Sequence, residues 1–189
     1  MNLKDKIILV TGASRGIGLN LSVMLADRGA SVILTSRNEK LLDQAVSRIK
    51  NTGGKAGYIM ADLSRDEDIY HLFGEIDKRY GRLDVLVNNA AIGIFGKLAD
   101  FSMDDYDMIM RVNLRAVYLC CQQALKFMIA AKNGHIVNIS SVVGVKGYPN
   151  QTAYTASKHG IMGLTKSLAA EVQEDGISVS VILDRKSVV

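Results

Sequence analysis

The chain has 189 residues, 48% hydrophobic and 22% charged, as is typical of one soluble globular domain with a sizeable core. Its net charge of +4 comes from basic residues interspersed with acidic ones, which argues against nucleic-acid binding. No apolar run reaches the roughly 18 residues of a membrane span, and the N-terminal residues lack a signal-peptide layout, so we expect a cytoplasmic protein.

Predicted strands and helices alternate along the whole chain. Short apolar runs predict strands at residues 6–11, 31–35, 56–61, 85–88, 135–140 and 177–183. Helical periodicity predicts helices at residues 16–28, 39–50, 64–80, 102–131 and 152–171. This alternation predicts right-handed crossovers and an α/β fold with a doubly wound parallel sheet of the Rossmann type.

Local signals add detail to three of the helices. In the first predicted helix, apolar residues are expected along one face, namely Ile17, Leu21, Met24 and Leu25. Ser64 with Glu67, and Ser102 with Asp105, resemble capping boxes at the starts of two later helices.

A glycine-rich turn at residues 11–18 joins the first predicted strand to the first predicted helix. Gly12, Gly16 and Gly18 follow the pattern Gly-x-x-x-Gly-x-Gly. Glycines there let the backbone approach a diphosphate, which the positive N-terminus of the following helix attracts. The position of the pattern, between an apolar strand and an amphipathic helix, favours a dinucleotide site over a plain glycine turn.

The end of the second predicted strand bears on the choice of cofactor. An NAD site places an acidic residue there for the ribose 2′-hydroxyl, whereas this sequence has Arg37 and no acid at the strand end. Arg37 and Arg15 together suit a 2′-phosphate, so NADP(H) is preferred and NAD(H) remains an alternative. Both arginines also fit solvated surface positions, and Glu39 just beyond Arg37 weakens the preference.

Residues 154–158 read Tyr-Thr-Ala-Ser-Lys within the last predicted helix. Residues four apart share a helix face, so the Tyr154 phenol and the Lys158 ammonium are expected to point into the same space. The ammonium would lower the tyrosine pKa from about 10 and make Tyr154 a proton donor for carbonyl reduction. The same spacing also fits an exposed helical pair without a chemical role.

The two cysteines, Cys120 and Cys121, are adjacent in an apolar helical segment. Neighbouring cysteines rarely bridge, and the sequence has no other cysteine, so we expect reduced core thiols. The three histidines stand at spacings that match no metal site, so no metal is expected.

Together these motifs resemble the short-chain dehydrogenase/reductase family, from the first strand to about Leu183. Beyond the glycine turn, the matching segments are Ala-Asp-Leu-Ser at 61–64, Asn-Asn-Ala-Ala at 88–91, Arg-Val-Asn-Leu at 111–114 and Asn-Ile-Ser-Ser-Val-Val-Gly at 138–144. The family has glycine where this chain has Ala91.

The resemblance implies a catalytic set and a cofactor-binding set. The implied catalytic residues are Asn113, Ser141, Tyr154 and Lys158. The implied cofactor-binding residues are Gly12, Ser14, Arg15, Gly16, Ile17, Gly18, Arg37, Asp62, Leu63, Asn89 and Ala90, together with Tyr154 and Lys158. Asp62 is implied to contact the adenine.

The resemblance also implies a mechanism. Hydride passes between the nicotinamide and the substrate carbon while Tyr154 gives its proton to the carbonyl oxygen, which Ser141 hydrogen-bonds. Lys158 is implied to hold the nicotinamide ribose, and Asn113 to bend its helix and anchor a water that relays protons to Lys158.

Within the family the chain looks most like the 3-oxoacyl-[acyl-carrier-protein] reductases of fatty acid biosynthesis. Arg15, Arg37 and the sequence Ser-Val-Val-Gly at 141–144 carry that likeness. Sugar, polyol and steroid dehydrogenases share the same tetrad, and a catalytically silent dinucleotide-binding module is a further alternative. The family's homo-oligomers, dimers or tetramers, use the two long helices at 102–131 and 152–171 for one interface.

The family continues beyond the sixth strand into a Pro-Gly turn, a substrate-covering loop and a seventh strand. This sequence instead ends with residues 184–189, Asp-Arg-Lys-Ser-Val-Val, which match the translation of a common sequencing adapter. We therefore expect residues 1–183 to be one catalytic domain, incomplete at its C-terminal side, and residues 184–189 to be a non-native tail. As written, the chain is expected to be poorly stable and poorly active.

Overall fold

The computed structural model describes residues 2–184 and contains one parallel sheet. Its strands are β1 (Ile7–Thr11), β2 (Ser31–Thr35), β3 (Lys55–Tyr58), β4 (Val85–Asn88), β5 (Gly134–Ser141) and β6 (Ile177–Asp184). Their order in the sheet is β3-β2-β1-β4-β5-β6, and every neighbouring pair is parallel. The predicted doubly wound parallel sheet is confirmed, and its order reverses between β1 and β4.

Along the chain, helices connect each strand to the next, as parallel strands require. They are α1 (Gly16–Asp27), α2 (Glu39–Asn51), α3 (Asp66–Tyr80), α4 (Met103–Met110), α5 (Ala116–Ala131) and α6 (Thr152–Glu171). The helix predicted over 102–131 is interrupted, because Arg111–Arg115 form a π-helical segment between α4 and α5. Among residues 2–184, no helix combines the length and the apolar character that crossing a membrane requires.

Two apolar layers cover the two faces of the sheet. On one face Leu9 packs with buried residues of α3, α5 and α6, including both cysteines. On the other face Ile8 and Val10 pack with residues of α1 and α2. Alternate residues of β1 therefore point to opposite layers, and the strand is buried on both faces. This explains why its sequence is a continuous apolar run.

The buried face of α1 differs from the predicted one. Ile17 and Met24 are 45% and 51% exposed, whereas the buried positions are Gly18, Ser22 and Ala26. The helix lies so close to the glycine turn that a Cβ at position 18 would come within 2.5 Å of the Gly12 carbonyl oxygen. Close approach therefore selects small residues on this face, and the apolar-face prediction was wrong for Ile17 and Met24.

Neither predicted capping box forms. The Ser64 hydroxyl donates to the Asp62 carboxylate at 2.8 Å instead, and α3 starts two residues later, at Asp66. Ser102 is the N-cap of α4, but its side chain makes no capping hydrogen bond. Acidic residues in the first turns of α3 and α4 complement the helix dipoles in place of the caps.

The expected tail falls mostly outside the described residues. Asp184 is described and extends β6, where it pairs in register with Ser141 of β5. Residues 185–189 lie outside the part of the chain that the structure describes.

Candidate active site

The predicted site residues gather at one edge of the sheet. The turn at 12–18 follows β1, Arg37 follows β2, Asp62 comes after β3, Asn89 follows β4 and Ser141 ends β5. Carboxyl ends of parallel strands meet at one edge, and the reversal of strand order between β1 and β4 opens a crevice there. Tyr154 and Lys158 of α6 and Asn113 of the π-helical segment approach the same edge through the contacts described below.

The glycine turn shows why it needs its glycines. Gly12 and Gly16 have φ of +65° and +59°, a region that residues with a Cβ rarely adopt. A Cβ at Gly12 would lie 2.8 Å from the Ala90 Cα, and one at Gly18 would lie 2.6 Å from the Asn89 Nδ2. At Gly16 nothing lies within 4 Å of such a Cβ, so the turn is open on that side.

Asn89 and Thr11 hold the glycine turn against the end of β4. The Asn89 Nδ2 donates to the carbonyl oxygens of Thr11 at 2.8 Å and Gly12 at 3.2 Å. The Thr11 hydroxyl oxygen accepts from the backbone N–H groups of Asn89 and Ala90, both at 3.0 Å. Thr11 was missed by the sequence reasoning because a hydroxyl ending an apolar strand carries no distinctive signal. Ala91 lies outside the positive-φ region, so its methyl group fits where the family has glycine.

The site has the features that a dinucleotide needs. The first turn of α1 has no acidic residue and no side-chain cap, so its free N–H groups can receive a diphosphate. Arg15 and Arg37 are exposed, and neither forms an ion pair within residues 2–184. Asp62 is fixed because its carboxylate accepts from the backbone N–H of Ser64 at 2.9 Å as well as from its hydroxyl.

The remaining predicted cofactor residues differ in exposure. Ile17, half exposed on α1, is accessible from solvent, and Ser14 is partly buried in the turn. Leu63 is buried in the core, so only its backbone can face a ligand. Ala90 is partly buried and also packs against the core.

Asn113 links the end of β4 to α6. Its side chain accepts from the Ile92 N–H at 2.8 Å and donates to the Ile92 carbonyl oxygen at 2.9 Å. It also donates to the Ser157 hydroxyl at 3.2 Å, and that hydroxyl donates to the Tyr154 carbonyl oxygen at 2.7 Å. Asn113 lies in the π-helical segment, a local widening that suits the expected bend in its helix.

Lys158 is almost completely buried, at 3% exposure. Its Nζ donates to the Ile139 carbonyl oxygen at 2.9 Å and lies 5.7 Å from the centre of the Tyr154 ring. Burial lowers the pKa of Lys158 to about 8, against the opposing effect of the Asp184 carboxylate.

The pKa of Tyr154 moves opposite to the prediction. Burial raises it above its ordinary value, and the Asp184 carboxylate raises it further, while the Ser141 hydroxyl acts in the opposite direction. The expectation of an acidic phenol was wrong because the desolvation that burial causes dominates the pKa of Tyr154. Tyr154 therefore keeps its proton at neutral pH.

A buried amide network behind the site was also missed. The Asn88 Nδ2 donates to the Asn138 Oδ1 at 2.9 Å, and the Asn138 Nδ2 donates to the Thr165 hydroxyl at 2.9 Å. These bonds join β4, β5 and α6 beneath the edge of the sheet where the predicted site residues gather. The available signal was Asn88 at the end of the apolar run of β4 and Asn138 between Val137 and Ile139 of β5, because a buried amide needs partners.

A family model described as short chain dehydrogenase matches residues 6–183. The chain belongs to the short-chain dehydrogenase family. The predicted family is thus confirmed, and membership places the chain among oxidoreductases that act on CH–OH groups with a nicotinamide dinucleotide.

Two relatives and one solved structure illustrate the similarity. A 3beta-hydroxysteroid dehydrogenase of Mediterraneibacter gnavus is 39% identical over 94% of this chain and 64% of its own length. A 3-oxoacyl-[acyl-carrier-protein] reductase of Thermotoga maritima is 37% identical over 96% of this chain and 74% of its own length. A metagenomic short-chain oxidoreductase in complex with NADP is 39% identical, with a TM-score of 0.92 over 100% of this chain and 85% of that chain. The chain thus spans between 64% and 74% of the length of these two curated relatives.

Proposed function

We propose that the protein is an NADP(H)-dependent carbonyl reductase in which Tyr154 is the proton donor. The observation that carries this proposal is that the Tyr154 ring centre lies 5.7 Å from the Lys158 Nζ, with the Ser141 hydroxyl near enough to act on the phenol, at the sheet edge that also holds the glycine turn. The NADP in the metagenomic relative supports the choice of cofactor.

The glycine turn, the N-terminus of α1, Arg15 and Arg37 would bind the dinucleotide, and Asp62 the adenine. Bound NADPH would supply a hydride to the carbonyl carbon of the substrate. The Tyr154 hydroxyl gives its proton to the carbonyl oxygen, so the C=O bond becomes CH–OH. The Ser141 hydroxyl donates to the same oxygen and stabilises its developing negative charge, a contribution of about 3 kcal/mol.

Lys158 and Asn113 complete the proposed catalytic set. The buried ammonium would stabilise negative charge on the Tyr154 oxygen as its proton leaves, and it would hold the nicotinamide ribose. Asn113 fixes the helix turn that carries Tyr154 through Ser157, and it would anchor the water that returns a proton by way of Lys158. Because the pKa of Tyr154 is raised, the phenol carries the proton that reduction of a carbonyl consumes.

For the substrate, we propose a 3-oxoacyl thioester of the kind used in fatty acid biosynthesis. The reductase from Thermotoga maritima supports this choice. The hydroxysteroid dehydrogenase supports a second candidate, a steroid ketone, at similar identity.

The test is a panel of ketones offered to the purified protein with NADPH. We expect oxidation of NADPH, followed at 340 nm, with acetoacetyl thioesters and formation of the 3-hydroxy product. Turnover of steroid ketones but not of thioesters would transfer the assignment to the second candidate. No turnover of any ketone, with NADPH binding intact, would instead indicate a silent dinucleotide-binding module.

We also propose a homo-oligomer formed through the surface of α4 and α5. A cavity of about 480 Å³ opens there, lined by Asp107, Met110, Arg111, Leu114, Arg115 and Tyr118. Tyr118 is 60% exposed, and a second copy of the chain would cover its side chain.

The free, buried Cys120 and Cys121 fit a reducing compartment, and we assign the protein to the cytoplasm on that ground.

A further inference from the structure

Phe95 lies against Tyr154 in the segment between β4 and α4. The two ring centres are 5.7 Å apart and the ring planes meet at 89°, an edge-to-face contact. The Phe95 side chain is nevertheless 55% exposed. An aromatic ring therefore borders the proposed proton donor and still offers more than half of its surface to another molecule.

The position of Phe95 is determined by its neighbours. A Cβ at Gly93 would lie 2.8 Å from the Phe95 Cζ, so the ring folds back over a position that only glycine leaves free. The Gly96 N–H donates to the Asn150 carbonyl oxygen at 2.9 Å, which joins this segment to the loop that leads into α6. The backbone beside Phe95 is thus joined to the loop that precedes α6.

The second loop adds apolar surface and no acidic group. Val145 and Tyr148 are 59% and 41% exposed in the stretch between β5 and α6. Residues 142–151 contain no aspartate or glutamate, and residues 89–102, between β4 and α4, contain one acidic residue, Asp100. A site that binds a polyhydroxylated substrate needs acceptors for its hydroxyl groups, and carboxylates are the strongest ones.

We propose that Phe95 is a specificity-determining residue that selects ketones with an apolar group next to the carbonyl. The inference rests on the proposed function, because a carbonyl oxygen bound to Tyr154 brings its neighbouring carbons beside the Phe95 ring. An alkyl or acyl chain gains by covering this ring, whereas a polyol chain loses hydration there and the ring offers it no hydrogen-bond acceptor of comparable strength.

The test compares two ketones with the holoenzyme, ethyl 3-oxohexanoate and dihydroxyacetone. The unaltered protein is expected to prefer the apolar ketone in kcat/KM by tenfold or more. Phe95→Ala should lower kcat/KM for ethyl 3-oxohexanoate about tenfold, mainly through KM, and change that for dihydroxyacetone less than twofold. Gly93→Ala, which displaces the ring without removing it, should act in the same direction, and Phe95→Leu should retain most of the preference.

Tyr70→Ala is the matched control, since Tyr70 is an aromatic residue of similar exposure, 53%, on α3. It should leave both ketones unaffected. Equal loss for both ketones in Phe95→Ala would mean that the ring only supports Tyr154, and this would overturn the inference while leaving the proposed function intact. A protein that binds NADPH but reduces neither ketone would overturn the proposed function and the inference together.

Discussion

The Lys158 ammonium is held among the ends of β5 and α6 at 3% exposure, with the Ile139 carbonyl oxygen as its hydrogen-bond acceptor. A buried cation of this kind destabilises the fold unless its charge is fully compensated. The lowering of the Lys158 pKa to about 8 reflects the cost of burying the charge. The proposed role of Lys158 in binding the ribose and the phenolate explains why a lysine lies at so costly a position.

Lys158 should therefore leave a signature in stability against pH. Below about pH 8 the ammonium is charged in both states; between about 8 and 10.5 the folded protein releases its proton first. In this window the unfolded state binds more protons than the folded state. The free energy of unfolding therefore increases as the pH rises, by about 3 kcal/mol at most. Urea denaturation without cofactor at pH 7.5, 9 and 10.5 measures it as the difference between the unaltered protein and Lys158→Met.

The control for this measurement is Lys166→Met, which removes an exposed lysine of the same helix. The free energy of unfolding of this variant should differ from that of the unaltered protein by nearly the same amount at the three pH values. A constant difference for Lys158→Met as well would show that the buried ammonium does not titrate in this window.

Arg37 should decide between the two dinucleotides. If its guanidinium binds the 2′-phosphate, Arg37→Ala loses charge-assisted hydrogen bonds of about 1.5–3 kcal/mol. The Kd for NADPH should then rise roughly 10- to 100-fold, while the Kd for NADH changes little. Fluorescence titration measures both, with Arg48→Ala, an exposed arginine of α2, as the control. Equal weakening for both dinucleotides would remove Arg37 from the 2′-phosphate site.

At the scale of the elements, the turn between β1 and α1 packs so closely that it leaves no room for a Cβ atom at Gly18. Gly18→Ala would place a methyl group 2.5 Å from the Gly12 carbonyl oxygen and 2.6 Å from the Asn89 Nδ2. The turn must move, so we expect NADPH affinity to fall at least tenfold and the unfolding free energy to drop by roughly 1–3 kcal/mol.

Gly74→Ala in α3 is the matched change, because nothing lies within 4 Å of a Cβ there. It should leave NADPH binding unchanged and stabilise the helix by up to about 1 kcal/mol. Calorimetric titration and urea denaturation of both variants provide the comparison. NADPH affinity that Gly18→Ala leaves intact would show that the turn can relax without losing its ligand.

The elements also show what the sequence could and could not reveal. β2 and β4 have the predicted bounds, because strands buried on both faces produce uninterrupted apolar runs. The buried face of α1 could not be predicted, since close backbone approach favours small residues such as Gly18 and Ala26 and leaves no apolar period. The cap at Ser64 failed because its hydroxyl donates to the Asp62 carboxylate, and Ser102 is an N-cap whose side chain makes no capping hydrogen bond.

At the scale of the whole molecule, the sequence predicted which residues share an edge of the sheet but not how they interact. Spacing alone placed Tyr154 and Lys158 on one helix face. It could not show that the ammonium would bond the Ile139 carbonyl, or that burial would raise the tyrosine pKa. The first depends on β5 and α6 meeting in space. The edge-to-face contact of Phe95 depends on the segment after β4 meeting α6, and Phe95 lies 59 positions before Tyr154 in the sequence.

The account depends above all on the Tyr154 hydroxyl as the source of the proton, and Tyr154→Phe removes that oxygen while keeping the ring beside Phe95. With NADPH and an acetoacetyl thioester, kcat should fall by roughly 10²–10⁴-fold, while the Kd for NADPH changes less than threefold. A Tyr154→Phe enzyme that turned over at the rate of the unaltered protein would contradict the assignment of the proton donor.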